Sequence, residues 1–137
     1  MKKAEIIHLA IPGAKVPSAN TLLRMHWAAR GRLQKEIDVA VFAAIATVPW
    51  TETQEIPRAR AEAHFTAIIK RREDRTDQDN LNAGLKFYID ALKHNGLIVD
   101  DGPDWFKFTA DQTTCNHHAS KKTGLDIAIK YERERAR

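Results

Sequence analysis

Apolar and polar positions follow two periods along this chain. Glu5 to Ile11 alternates loosely and is rich in isoleucine, and the Pro12-Gly13 pair ends it, which predicts a first strand. Ala14 to Asn20, with Pro17, Ser18 and Asn20, reads as a loop. From His26 to Val48 the residues Leu33, Ile37, Val41 and Ile45 recur every fourth position, and Ala40 and Ala44 widen the stripe, so this segment is an amphipathic helix. Pro49 and Pro57 bracket a polar connection. Ala59 to Lys70 then alternates as a strand, with Ala61, Ala63, Phe65, Ala67 and Ile69 on one face. Lys70 to Gln78 is a charged loop. A second helix is expected to start at Asp79, to bury Leu81, Leu85, Tyr88, Ile89 and Leu92, and to stop at Asn95-Gly96. Leu97-Ile98-Val99 is a short buried run that feeds the acidic turn Asp100 to Asp104.

Trp105 to Thr113 alternates as a third strand, with Phe106, Phe108 and Ala110 on one face. Asn116 to Thr123 turns the chain, and Gly124 to Glu132 is a fourth strand with Leu125, Ile127, Ile129 and Tyr131 inward. Glu132 to Arg137 is a charged tail, expected to fray. The order β-α-β-α-β-β predicts an α+β fold, a four-stranded mixed sheet with two main helices packed on it. At 137 residues, residues 1–137 are expected to form one domain.

Composition narrows the class. The chain is 43% hydrophobic and 29% charged, in the range of ordinary globular proteins. No stretch approaches the ~20 apolar residues of a membrane span. Met1 to His8 carries an acid and a histidine where a signal peptide needs an apolar run, so a cytoplasmic location is expected. Cys115 is the single cysteine, which leaves no partner for an intrachain disulfide. Beside it, His117 and His118 read as a polar turn rather than a zinc site. Lys plus Arg outnumber Asp plus Glu by 22 to 18, and the pI near 9.3 is compatible with a polyanionic partner. Trp27, Trp50 and Trp105 are read as packing in the core or at an interface rather than stacking on bases.

The chemistry concentrates in Asp77-Gln78-Asp79-Asn80-Leu81 and, one helix later, Asp100-Asp101. Two carboxylates at i and i+2 converge at a strand-to-helix junction, where hard-cation ligands are often gathered, and Mg²⁺ takes several oxygen ligands. Asp77, Asp79 and Asp101 are therefore expected to approach one another, because like charges are gathered at a cost that a cation removes. The alternative is structural: Asp79 as a helix N-cap, Asp77 as a loop residue beside Arg75, and Asp100-Asp101 as a solvated turn. Lys86 lies seven residues beyond Asp79, on nearly the same helix face, where it can orient a water or meet a phosphate; it also forms an i, i+4 pair with Asp90.

Asp77-x-Asp79-Asn80-Leu81, then Asp90-Ala91-Leu92, then Gly96-Leu97-Ile98-x-Asp100-Asp101 resembles the signature of RusA-type crossover junction endodeoxyribonucleases, the Holliday junction resolvases often carried by prophages. Pro17-Ser18-Ala19-Asn20, followed by Arg24 and His26, is similar to that family's N-terminal Pro-Ser-x-Asn loop. The resemblance implies a homodimeric nuclease dependent on Mg²⁺, with Mn²⁺ as a substitute, that resolves four-way DNA junctions by paired nicks. It maps the catalytic, metal-binding acids onto Asp77, Asp79 and Asp101. The family's lysine, one turn after the second Asp, falls here on Ala83, and Lys86 is the nearest basic group on that face.

The expected reaction is phosphodiester hydrolysis by a metal-activated water, with Lys86 assisting. Lys70, Arg71, Arg72 and Arg75, beside the acids, and Arg24 and Asn20 are the expected DNA contacts. A dimer supplies two sites for two strands and doubles the charge of +4 to +8. Two other readings stand beside this one: a non-catalytic DNA-junction binding module, which needs the basic residues but not three convergent acids, and a metal-dependent nucleotide phosphohydrolase, which needs a deep pocket.

Overall fold

The computed structural model describes residues 6–48, 59–117 and 122–132. Four strands, β1 (Ile6–Pro12), β2 (Ala61–Ile69), β3 (Phe106–Thr114) and β4 (Gly124–Tyr131), form one sheet in the order β1-β4-β2-β3. β4 runs antiparallel to both β1 and β2, with Leu9 opposite Ile127 and Phe65 opposite Ile127 on its other side. β2 and β3 are parallel, with Phe65 opposite Ala110. A parallel pair needs a crossover, and α3 (Gln78–His94) supplies it. The sheet is mixed, as the sequence predicts.

Two further helices precede α3: α1 (Ala19–Arg24) and α2 (Trp27–Ala46). α2 and α3 pack against each other and cover one face of the sheet. Alternation follows from this one-sided cover: β1 buries Ile7, Leu9 and Ile11 and exposes Ile6, His8 and Ala10. The uncovered face carries His8, Glu62, His64, Lys107, Thr109 and Lys130, all exposed. The core joins Ile37 and Val41 of α2 and Leu81, Leu85, Tyr88 and Leu92 of α3 to Phe65, Leu125, Ile127 and Ile129 of the sheet. Each such aliphatic side chain contributes about 1.5–3 kcal/mol by its burial. Among the described residues no helix is long and apolar enough to cross a membrane.

Several expectations need correction. The segment read as loop up to Asn20 ends in the short helix α1, which Ser18 starts by accepting a hydrogen bond from the Thr21 amide at 3.1 Å. α2 begins at Trp27, capped by His26, whose Nδ1 accepts from the Ala28 amide at 3.2 Å. α3 begins at Gln78 with Asp77, not Asp79, as its N-cap. Alternation in β2 breaks at its end, where Ile68, opposite Gly124, is buried and Ile69 is half-buried. Trp27 is 78% exposed and so is no core residue. The polar connection with Pro49, Trp50 and Pro57, His118, and the charged tail beyond Glu132 lie outside the described residues.

Candidate functional site

Asp77 and Asp79 sit where the chain leaves the basic loop and enters α3. Asp77 is extended, and its Oδ1 accepts the Asn80 amide at 2.8 Å while Oδ2 accepts the Asn80 side-chain amide at 2.9 Å. These two hydrogen bonds from one residue fix the carboxylate's orientation. Asp79 lies in the first turn, where its charge meets the positive end of the helix dipole, and it is exposed. The approach to this corner is held by Gln112 of β3. Its side-chain amide donates to the Thr76 carbonyl at 2.8 Å and accepts from the Thr76 amide at 2.9 Å, so it copies a strand partner for the residue just before Asp77. Gln78 adds a second tie, donating to the Ala110 carbonyl at 3.2 Å.

A second segment reaches the same helix. The loop carrying Val16 and Pro17 rests on Gly84, where a Cβ would collide with the Pro17 carbonyl oxygen. Tyr88, one turn on, donates its hydroxyl to the Lys15 carbonyl at 2.9 Å, and burial pushes its pKa up to about 12. The loop that docks here runs directly into α1, which carries Asn20 in its first turn and Arg24 in its last, both exposed. Between β2 and α3 the basic loop contains a single 3-10 turn, Arg72–Asp74, and exposes Lys70, Arg71, Arg72 and Arg75. Asp74 accepts the Arg71 amide at 3.2 Å and stands 4.0 Å from Arg71 Nε, a solvent-screened contact of little energetic weight.

Asp101 stands elsewhere. Lys93, in the last turn of α3, contacts Asp100 at 3.0 Å and Asp101 at 3.8 Å. At 1.5 Å per residue, residues 79 and 93 are about 21 Å apart along the helix axis. The expected convergence of Asp77, Asp79 and Asp101 therefore does not occur within one chain, because α3 is rigid and the turn after it folds against its C-terminal end. Among the described residues no three His, Cys, Asp or Glu side chains gather closely enough to hold a metal ion. Lys86 lies midway along the helix. It is exposed, and its charge acts on Asp90, in keeping with the i, i+4 pair.

The far end of α3 is a charged cluster of its own. Partial burial and then the nearby Asp101 raise the Asp90 pKa, against the opposing charges of Lys86, His94 and Lys93. The hydrogen bond from Lys93 holds Asp100 below the usual carboxylate range, and the same bond raises Lys93. His94 Nδ1 is 2.9 Å from Asp38 of α2, which clips the two helices together.

No sequence pattern marks a cavity beside the acids. One of about 500 Å³ lies between the Pro17 loop, the end of β2 and the start of α3, lined in part by Lys15, Val16, Lys70, Thr76, Asn80 and Leu81. Its walls join the Pro17 loop to segments about fifty residues or more further along the chain, so no local pattern marks it; Gly84 and Pro17-Ser18 are the local hints. Cys115 lies in a 3-10 turn with its thiol 3.9 Å from the Lys70 carbonyl. A comparison with protein-family models finds no match, and no curated protein matches the chain.

Proposed function

We propose that this chain is a structure-specific endodeoxyribonuclease that hydrolyses phosphodiesters of branched, four-way DNA as a Mg²⁺-dependent homodimer, as the resemblance to RusA-type resolvases implies. The observation that carries the reading is the corner at the start of α3. Two carboxylates two residues apart, one of them oriented by Asn80, stand directly after a loop that exposes Lys70, Arg71, Arg72 and Arg75. Cations that bind a phosphate backbone thus adjoin acids able to orient a water or a divalent ion at that backbone. In this reading Arg24 and Asn20 extend the DNA contact along α1, and Lys86 faces the substrate from the middle of α3. Since one chain keeps Asp101 at the other end of the helix, a three-carboxylate site requires Asp101 of a second copy, which gives the dimer a chemical role.

The test is cleavage of a synthetic four-way junction, with linear duplex as control, with Mg²⁺ and with chelator. Symmetric nicks that require the cation support the reading; intact junction at saturating protein and Mg²⁺ rejects it. The separation of Asp101 from Asp77 and Asp79 favours a second reading, a junction-binding module without catalysis. It predicts a junction-selective gel shift and no nicks under the same conditions.

A further inference from the structure

We infer that the cavity beside Asn80 is a subsite for one unstacked nucleotide, holding its phosphate by Lys15 and Lys70 and its base between aliphatic walls. The volume of about 500 Å³ falls within the roughly 300–1,000 Å³ of small-molecule sites. The lining joins two chemistries. Val16 and Pro17 offer apolar surface from the loop docked on α3. Lys15 and Lys70 bring two exposed ammonium groups, and among the described residues neither has a carboxylate within 4.0 Å. Asp74, the acid in the lining, is turned to Arg71. Such a cavity selects a ligand with an anionic group on a flat, largely apolar body, which describes a nucleoside monophosphate unit.

The hydrogen-bonding inventory agrees. The Gln112 amide is consumed at both ends by Thr76, and the Asn80 side chain donates to Asp77. The Asn80 Oδ1 and the Thr76 hydroxyl, both from lining residues, make no hydrogen bond within the described residues, so they remain for the edge of a base. Asn80 touches the cavity on one side and holds the Asp77 carboxylate on the other. A nucleotide seated here places its neighbouring phosphodiester at the start of α3. The inference rests on the nuclease reading for the claim that the nucleotide belongs to a strand; the same chemistry would also hold a free nucleotide, the pocket that a nucleotide phosphohydrolase needs.

The experiment is an amide-shift titration with each deoxynucleoside 5′-monophosphate, with inorganic phosphate and with the deoxynucleosides, on the full chain and on Lys15→Ala/Lys70→Ala. Shifts at Val16, Ser18, Thr76 and Asn80 are expected with a monophosphate, at an affinity roughly tenfold above phosphate or nucleoside alone and lost roughly tenfold in the double variant. Both lysines are exposed, so the variant retains its fold. Ala14→Trp, which fills the cavity from its lining, serves as the second block. Phosphate alone binding as tightly as the nucleotide, or shifts confined to residues 71–75, overturns the subsite. Junction cleavage separates the sources. Loss of cleavage in both variants assigns the subsite to a strand, and cleavage unchanged in both overturns that assignment while leaving the nuclease reading intact. Monophosphate binding by a chain that cuts no junction supports the subsite and removes the nuclease.

Discussion

Asp77 caps α3 with the carboxylate to which the proposed function gives a second task at the substrate, and substitutions can separate the two. Asp77→Ala loses the acceptor for the Asn80 amide and should lower stability by about 1 kcal/mol, read as a fall in the urea midpoint. Asp77→Asn keeps an acceptor oxygen and a near-native midpoint, yet should lose junction cleavage as fully as Asp77→Ala does. Asp79 carries no cap, so Asp79→Asn should cost a few tenths of a kcal/mol through the helix dipole and reduce cleavage by about 10²-fold or more. Wild-type cleavage by both Asn variants would leave these acids structural. Tyr88 supplies a residue-scale pH dependence. Its native pKa of about 12 exceeds the unfolded value of 10.0, so its contribution is complete below pH 10 and is lost as pH climbs towards 12. Burial shifts Tyr131 in the same direction. Denaturation midpoints measured from pH 9 to 11.5 should fall, and Tyr88→Phe should fall less steeply.

At the scale of elements, α3 is the organising piece. Its apolar stripe Leu81, Leu85, Tyr88, Ile89 and Leu92 is buried as its spacing predicts, and Asn95-Gly96 ends it with Gly96 at φ 77°. The four strands are equally legible, because one covered face imposes alternation over most of their length. The start of α3 is not set by spacing alone, because Asp77 and Asp79 are both good caps in composition; the choice is made by the Asn80 contacts, which spacing does not reveal. α1 is not legible in the sequence because six residues are too few to show a period. The placement of Asp101 had a physical clue that composition obscures. The five residue-to-residue steps from Gly96 to Asp101 span at most about 18 Å when extended, too little to run back along seventeen residues of helix, about 25 Å. Gly84 makes an element-scale prediction. Ala would add about 1 kcal/mol of helix propensity but forces the Pro17 loop outward, an overpacking cost of about 1–3 kcal/mol. Gly84→Ala should therefore be destabilised by up to about 2 kcal/mol in urea unfolding, with amide shifts that reach Ser18.

For the whole molecule, the proposed function assigns DNA binding to the exposed basic loop beside the acids rather than to the net charge of +4. Replacing Arg71 and Arg72 with Ala should weaken junction binding and reduce the slope of log affinity against log salt by up to about 2, at roughly 0.9 for each lost phosphate contact. An unchanged slope in a gel-shift series would remove the loop from the interface. The position of β4 between β1 and β2 bears on how the molecule comes into being. Among the described residues β1 pairs with no strand but β4, and β4, the last of the four to be synthesised, is the one that joins it to the rest. Until that strand arrives, a nascent chain presents two unpaired strand edges beside an exposed apolar surface, the condition in which aggregation competes with folding. β4 thus decides that race, and chains arrested at residue 123 should be held by chaperones and degraded, whereas chains that include β4 escape both.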